Sequence, residues 1–72
     1  MTPGGGPRIT VNGEEQELAP GATVASVLAQ VGAEPRGVAV AVDGEVVARR
    51  TWAEHTLTGG EHVEILSIAK GG

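Results

Sequence analysis

Residues 38–47 have the sequence VAVAVDGEVV, and this stretch decides the fold. The first five residues are apolar without polar alternation, which is typical of a central strand that is covered on one face. Asp43-Gly44 turns the chain, and residues 45–48 form a second short strand. Ala39 and Ala41 share the other face of the first strand, and we expect that face to be open to solvent. The stretch therefore predicts a sheet with one covered face.

A short helix before this stretch is predicted to supply the cover. Four apolar residues recur there at the helical spacing i, i+3, i+4 and i+7, namely Val24, Val27, Leu28 and Val31. Thr23 is expected to be the N-cap, and Gly32 stands where a glycine commonly follows a helix. A helix of about two and a half turns is marginal alone, so it has to lie on the sheet.

A hairpin and a final strand complete the pattern. Asn12-Gly13 is a strong signal for a two-residue hairpin turn, so residues 8–11 and 14–18 are predicted to pair, the second as a polar edge strand. Residues 49–55 are expected to be irregular or one helical turn with Thr51 as its cap. Residues 61–68 form the last strand. Hairpin, helix and further strands make an α+β domain over residues 8–68.

The two ends of the chain lack this patterning. Residues 1–7 are rich in glycine and proline and are predicted to be a disordered leader. Residues 69–72 are predicted to be a flexible tail, which ends in Gly71-Gly72. The leader has no apolar segment of the kind that signal peptides contain, and no stretch is long enough to span a bilayer, so a cytoplasmic location is expected.

Composition excludes several function classes. The chain has 72 residues, a net charge of −4, no cysteine and a single aromatic residue, Trp52. Disulfides and Cys₄ zinc sites are therefore impossible, and the basic patch and stacking aromatics of a nucleic-acid binder are missing. His55 and His62 make a poor metal site without a third ligand, so no metal is predicted. No nucleophile–base pair or carboxylate dyad stands out, so we predict that the chain is not an enzyme.

The chain resembles the thiamine-biosynthesis sulfur carriers over roughly residues 8–72. The resemblance rests on the order and spacing of several segments, which are IleThrValAsnGlyGlu at 9–14, the helix at 23–31, the stretch 38–47, ArgThrTrp at 50–52, GlyGluHisValGluIle at 60–65 and the terminal diglycine. It implies a ubiquitin-like β-grasp fold, with a mixed sheet of four to five strands and one main helix packed across one face. Arg49, Glu61 and Lys70 depart from the family's usual residues.

The resemblance also implies a chemistry for the tail. An E1-like adenylyltransferase would use Mg-ATP to convert the Gly72 carboxylate into an acyl-adenylate, and a persulfide sulfur donor enzyme would then supply the sulfur of a thiocarboxylate. A thiazole synthase would accept that sulfur. Gly71 and Lys70 would thread with Gly72 into the partners' sites, and the exposed sheet face nearby would dock on the adenylating enzyme. No cofactor is expected to stay bound.

Other interpretations remain open from the sequence. The acceptor pathway could be molybdopterin, cysteine or secondary-metabolite synthesis, with this chain as the corresponding carrier or small synthase subunit. The chain could instead be a ubiquitin-like modifier that forms isopeptide bonds through Gly72, or a binding module whose tail is inert. Trp52 is expected to cover the open end of the core, with partner contact as the alternative. Arg49 and Arg50 either pair with acidic groups of a partner or are solvated.

Overall fold

The computed structural model describes residues 7–34 and 36–67 of the chain. Five strands, one α-helix and one 3₁₀ turn follow in order: β1 (Arg8–Val11), β2 (Glu14–Glu17), α1 (Val24–Gln30), β3 (Val38–Val42), β4 (Glu45–Val47), the 3₁₀ turn (Arg49–Thr51) and β5 (His62–Ser67). Strands β2 and β4 each end one residue before the predicted end, and β5 begins one residue later than predicted. The tail predicted at 69–72 lies outside the described residues, as does all of the leader except Pro7.

The five strands form one mixed sheet in the order β2-β1-β5-β3-β4. Only β1 and β5 run parallel, whereas β2, β3 and β4 pair antiparallel with their neighbours. The predicted β-grasp architecture is therefore confirmed, with five strands and α1 across one face. Within the described part of the chain, no helix is long and apolar enough to cross a membrane.

Helix α1 begins and ends as its sequence predicts. The Thr23 side chain accepts from the Ser26 backbone N–H at 3.2 Å, and the Ser26 hydroxyl accepts from the Thr23 N–H at 2.8 Å, so the two residues form a capping box. Gly32 follows the helix with φ +74°, and its N–H donates to the Ala29 carbonyl. These caps fix a helix of only seven residues, which would be marginal without the sheet.

The core lies between α1 and the sheet. Val24, Val27 and Leu28 are buried and Val31 is half-buried against them, as the helical spacing predicts. The covered sheet face adds the side chains that alternate inward, which are Ile9, Val11, Val40, Val42, Val47 and Val63. Leu18, predicted to belong to the polar edge strand, instead follows the end of β2 and is buried. Its N–H donates to the Pro7 carbonyl at 2.7 Å.

Trp52 lies directly after the 3₁₀ turn and covers the core, as predicted. Its ring is buried, and its Nε1–H donates to the Val47 carbonyl at 3.0 Å. The Arg49 guanidinium lies 5.6 Å from the centroid of the ring. The prediction that Thr51 caps this turn is wrong. Ala48 holds the N-cap position, and the Thr51 hydroxyl donates back to the Ala48 carbonyl at 2.8 Å.

Candidate functional site

The predicted site residues Gly72, Gly71 and Lys70 all lie outside the described residues. The chain leads to them from β5, whose described residues end at Ser67, and we call this end of the strand the departure point. Five residue steps separate Ser67 from Gly72, so the two Cα atoms can lie at most about 18 Å apart. Any chemistry proposed for Gly72 therefore has to take place within a short distance of this end of the sheet.

Strand β5 is the central strand of the sheet and holds that departure point. It pairs with β3 over five residues, from Val42↔Val63 to Val38↔Ser67. On its other side it pairs with β1 over only two, which are Thr10↔His62 and Val11↔Val63. The last residues of β5 are thus held by β3 on one side, and on the other side none of the strands within residues 7–34 and 36–67 pairs with them.

The face of the sheet opposite α1 carries an apolar patch next to this departure point. Leu66 lies opposite Ala39, and Ala41 lies between Val46 and Glu64 in the strand register. Val46 is 78% exposed and Leu66 is 54% exposed, and they are the exposed large hydrophobic residues of the described chain. We call Ala39, Ala41, Val46 and Leu66 the apolar patch. Apolar side chains left in water next to one another are typical of an interaction surface.

Sequence analysis predicted an open face here but not its composition. Ala41 is buried and Ala39 is half-buried, so the expectation that both alanines face solvent is wrong for Ala41. Val46 and Leu66 were missed, although the sequence contained a signal for each. Successive strand residues point to opposite faces of the sheet. Only one of Val46 and Val47 could therefore enter the core, and the same holds for Ile65 and Leu66.

The other half of the open face is polar. The Arg8 guanidinium forms an exposed salt bridge with the Glu15 carboxylate at 3.0 Å, and Glu17 lies opposite Arg8 in the register. His62 Nδ1 and the Thr10 hydroxyl are 2.7 Å apart. The face is therefore divided, with charged and polar groups over β1 and β2 and the apolar patch over β3, β4 and the end of β5.

Neither histidine belongs to a metal site among residues 7–34 and 36–67, where no group of three or more histidine, cysteine or acidic side chains is placed to hold an ion. His62 instead contacts Thr10, and its backbone N–H donates to Asp43 Oδ1 at 2.9 Å. Of the two neighbouring arginines, Arg49 lies over the Trp52 ring, while Arg50 is exposed.

Comparisons with known proteins agree with the β-grasp fold described above. The chain is 32% identical to the thiamine biosynthesis protein ThiS from Geobacter metallireducens, whose crystal structure it matches with a TM-score of 0.72 over 90% of this chain and 99% of that one. It is 29% identical over 65 residues to the sulfur carrier protein ThiS of Escherichia coli strain K12, a match that covers 90% of this chain and 98% of that protein.

A third relative is a much longer protein. The chain is 31% identical over 65 residues to a thiazole synthase of Paramagnetospirillum magneticum. That match covers 90% of this chain but 20% of the synthase, so the chain spans about a fifth of that relative's length.

The family comparison includes the tail as well as the folded domain. The model of the ThiS family matches residues 9–72, from the first strand through Gly71-Gly72. The same span contains every strand from β1 to β5, apart from the first residue of β1, together with the apolar patch. The chain belongs to the ThiS family.

Proposed function

We propose that this chain carries sulfur for the thiazole step of thiamine biosynthesis, as a thiocarboxylate on Gly72. The observation that carries the proposal is the family match, which extends from residue 9 through the diglycine. The relative of similar length is a sulfur carrier, and a longer relative contains the same segment within a thiazole synthase. A carrier segment joined to a synthase is what we expect if the two act together. This favours the thiamine pathway over the other carrier pathways.

The chemistry follows from the properties of a terminal carboxylate. At neutral pH an α-carboxylate is ionised and is a poor electrophile. An E1-like adenylyltransferase, using Mg-ATP, would attach AMP to the Gly72 carboxylate and release pyrophosphate. The outer sulfur of a persulfide on the sulfur donor enzyme would then displace AMP and form an acyl disulfide. A second thiol would attack the donor's sulfur, form a disulfide with the donor and release the thiocarboxylate. Gly71 suits a narrow channel because it has no Cβ, and Lys70 would lie at the channel entrance.

We infer that the chain itself is not the catalyst. Among the described residues no polar or charged side chain is buried, and a water-excluded set of positioned polar groups is what catalytic sites usually provide. The chain would act as a cosubstrate with no cofactor of its own. The ATP that its activation consumes is consistent with a cytoplasmic location.

The apolar patch is the surface that we propose docks on the adenylyltransferase. It lies beside the departure point of the tail, so docking there would bring the carboxylate within reach of the partner's site. Glu64 borders the patch, and the net charge of −4 favours a partner whose rim is basic. Leu66 is the central contact in this proposal, because it is closest to the tail along β5.

Two experiments test these proposals separately. The first is the intact mass of the protein isolated from its native host, where replacement of one oxygen by sulfur on Gly72 is expected. Deletion of Gly71-Gly72 should abolish the change. Conjugates of higher mass would indicate a modifier instead, and an unchanged mass in cells supplied with sulfur would refute the carrier function.

The second experiment tests docking by Leu66→Arg, with Ala29→Arg as the matched control. Ala29 is an exposed residue of α1, on the opposite side of the domain from the patch. We expect Leu66→Arg to weaken binding to the adenylyltransferase by at least about tenfold, because a contact of this size is worth about 1.5 kcal/mol or more. Ala29→Arg should leave the affinity unchanged. Equal affinities for the two variants would refute the docking surface.

A further inference from the structure

Strand β1 leaves the centre of the sheet before β5 ends. The Asn12 backbone N–H still donates to the Val63 carbonyl at 2.9 Å, which is the last main-chain bond between the two strands in that direction. Asn12 then adopts φ +51°, and the chain turns through Gly13 into β2. From this point onward, none of the described strands pairs with β5 on the β1 side, although β5 continues through Ile65 to Ser67.

The side chain of Asn12 makes the hydrogen bonds to β5 that a neighbouring strand would otherwise make. Its Oδ1 accepts the Ile65 backbone N–H at 2.8 Å, and its Nδ2–H donates to the Ile65 carbonyl at 3.3 Å. In a regular parallel ladder, these two groups of Ile65 would bond to main-chain groups of the neighbouring strand. A carboxamide carries the same carbonyl acceptor and N–H donor as a peptide group, so it can extend the ladder by one step.

We call the two hydrogen bonds between the Asn12 amide and Ile65 the clamp, and they lie close to the tail. Ile65 lies two residues before Ser67, where the described strand ends and the segment leading to Gly71-Gly72 begins. Strand ends open most readily, because few contacts have to be broken there. Val38 holds Ser67 on the β3 side, so the Asn12 amide is the matching restraint on the β1 side.

We propose that Asn12 is a positioning residue for the activation of Gly72. Its amide holds the end of β5 in the sheet, so that the tail departs from a fixed point when the apolar patch is docked on the partner. This inference rests on the proposed function. Without the Asn12 amide, β5 would still dock, since Leu66 still pairs with Ala39 and the rest of the apolar patch lies on β3 and β4. The docked complex, however, would present its tail correctly for a smaller share of the time.

A simpler explanation of Asn12 has to be separated from this one. Asparagine is favoured at the first of the two central positions of a type I′ turn because it tolerates a positive φ, whatever its side chain contacts. The second hairpin provides the comparison, because Asp43 has the same φ of +51° and also precedes a glycine. Asp43 Oδ1 accepts the His62 N–H at 2.9 Å, at the opposite end of β5 from the tail. Asn12→Gly and Asp43→Gly therefore both preserve their turns. The first removes two side-chain hydrogen bonds to the tail end of β5, and the second removes one at the opposite end.

The test measures pyrophosphate release by the adenylyltransferase encoded in the same genome, with Mg-ATP saturating and the carrier varied. For Asn12→Gly we expect a kcat lower by about 5-fold or more, because two hydrogen bonds to Ile65 are lost. KM should stay within about twofold, because Leu66 keeps its pairing with Ala39 and the other residues of the apolar patch lie on β3 and β4. Asp43→Gly should keep both constants within the same limit. The Leu66 amide, which faces β3, should exchange with solvent faster in Asn12→Gly alone.

Several other outcomes would contradict the positioning role of Asn12. Equal losses of kcat in the two variants would show that Asn12 acts only through general stability. A change confined to KM would show that Asn12 affects docking, and either result would refute the positioning role. An unchanged kcat in Asn12→Gly together with faster exchange at Leu66 would show that the clamp exists but does not position the tail. If the wild-type chain is not adenylated at all, the proposed function fails first and the positioning role fails with it.

Discussion

Replacing Trp52 by phenylalanine separates its role in the core from a role in partner contact. The indole is 5% exposed, its Nε1–H bonds to the Val47 carbonyl, and the Ala25 N–H donates to the Trp52 carbonyl at 3.1 Å on the α1 side of the sheet. The ring therefore lies away from the apolar patch. Phenylalanine keeps the six-membered ring but loses the hydrogen bond and the pyrrole edge. The substitution should weaken the fold and leave docking intact.

The size of the effect follows from these two losses. A buried hydrogen bond contributes about 0.5–1.5 kcal/mol net, and the pyrrole edge is roughly two methylene groups of buried surface, or about 1.6 kcal/mol. We therefore expect the free energy of unfolding to fall by about 2–3 kcal/mol. A chain of 72 residues typically has about 4–11 kcal/mol in total, so most molecules of the variant should remain folded at 25 °C.

The assay is thermal and urea unfolding followed by far-ultraviolet circular dichroism, because the variant lacks the only tryptophan of the chain. A loss of 2–3 kcal/mol corresponds to a fall in Tm of about 8–24 °C for a domain of this size. Affinity for the adenylyltransferase, measured well below that Tm, should match the wild type. A loss of stability below about 1 kcal/mol, combined with weakened binding, would refute the reasoning. Trp52 would then act as a surface contact.

Two smaller predictions follow from local contacts. Arg49→Ala should lower the free energy of unfolding by about 0.5–1 kcal/mol, because it removes the cation from the Trp52 ring, whereas Arg50→Ala should have an effect near zero. Equal effects in urea unfolding would refute the stacking contribution. Ser26→Ala breaks the capping box with Thr23 and should cost about 0.5–1 kcal/mol in the same assay, even though alanine is the better helix former. An unchanged midpoint would show that the cap contributes nothing.

Much of the fold was predictable because its elements are determined locally. The Val24 to Val31 stripe, the Thr23 cap and the two turns at Asn12 and Asp43 each depend on neighbouring residues alone, and the structure confirms all of them. The order of elements then limits the topology, since a helix between two hairpins has one face to bury and one sheet to cover.

The errors occurred where a residue's environment comes from distant parts of the chain. Leu18 follows a run of charged residues, and only the end of β2 at Glu17 directs it inward. Ala41 is buried because Val46 and Glu64 lie on either side of it, and the sequence does not show which residues of other strands will be its neighbours. Thr51 resembles a cap in sequence, but its hydroxyl bonds backward to Ala48.

Asn12 illustrates why local prediction was correct and still incomplete. The Asn-Gly pair indicated a hairpin turn, and the turn accounts fully for the backbone angle of Asn12. Its carboxamide, however, bonds to a residue 53 positions away, at the last step of a parallel pairing that only the folded sheet creates. A turn residue whose side chain is not needed by the turn is free to serve another part of the fold. If the positioning role is correct, the same residue both sets the hairpin and keeps the far end of the chain in place for its chemistry.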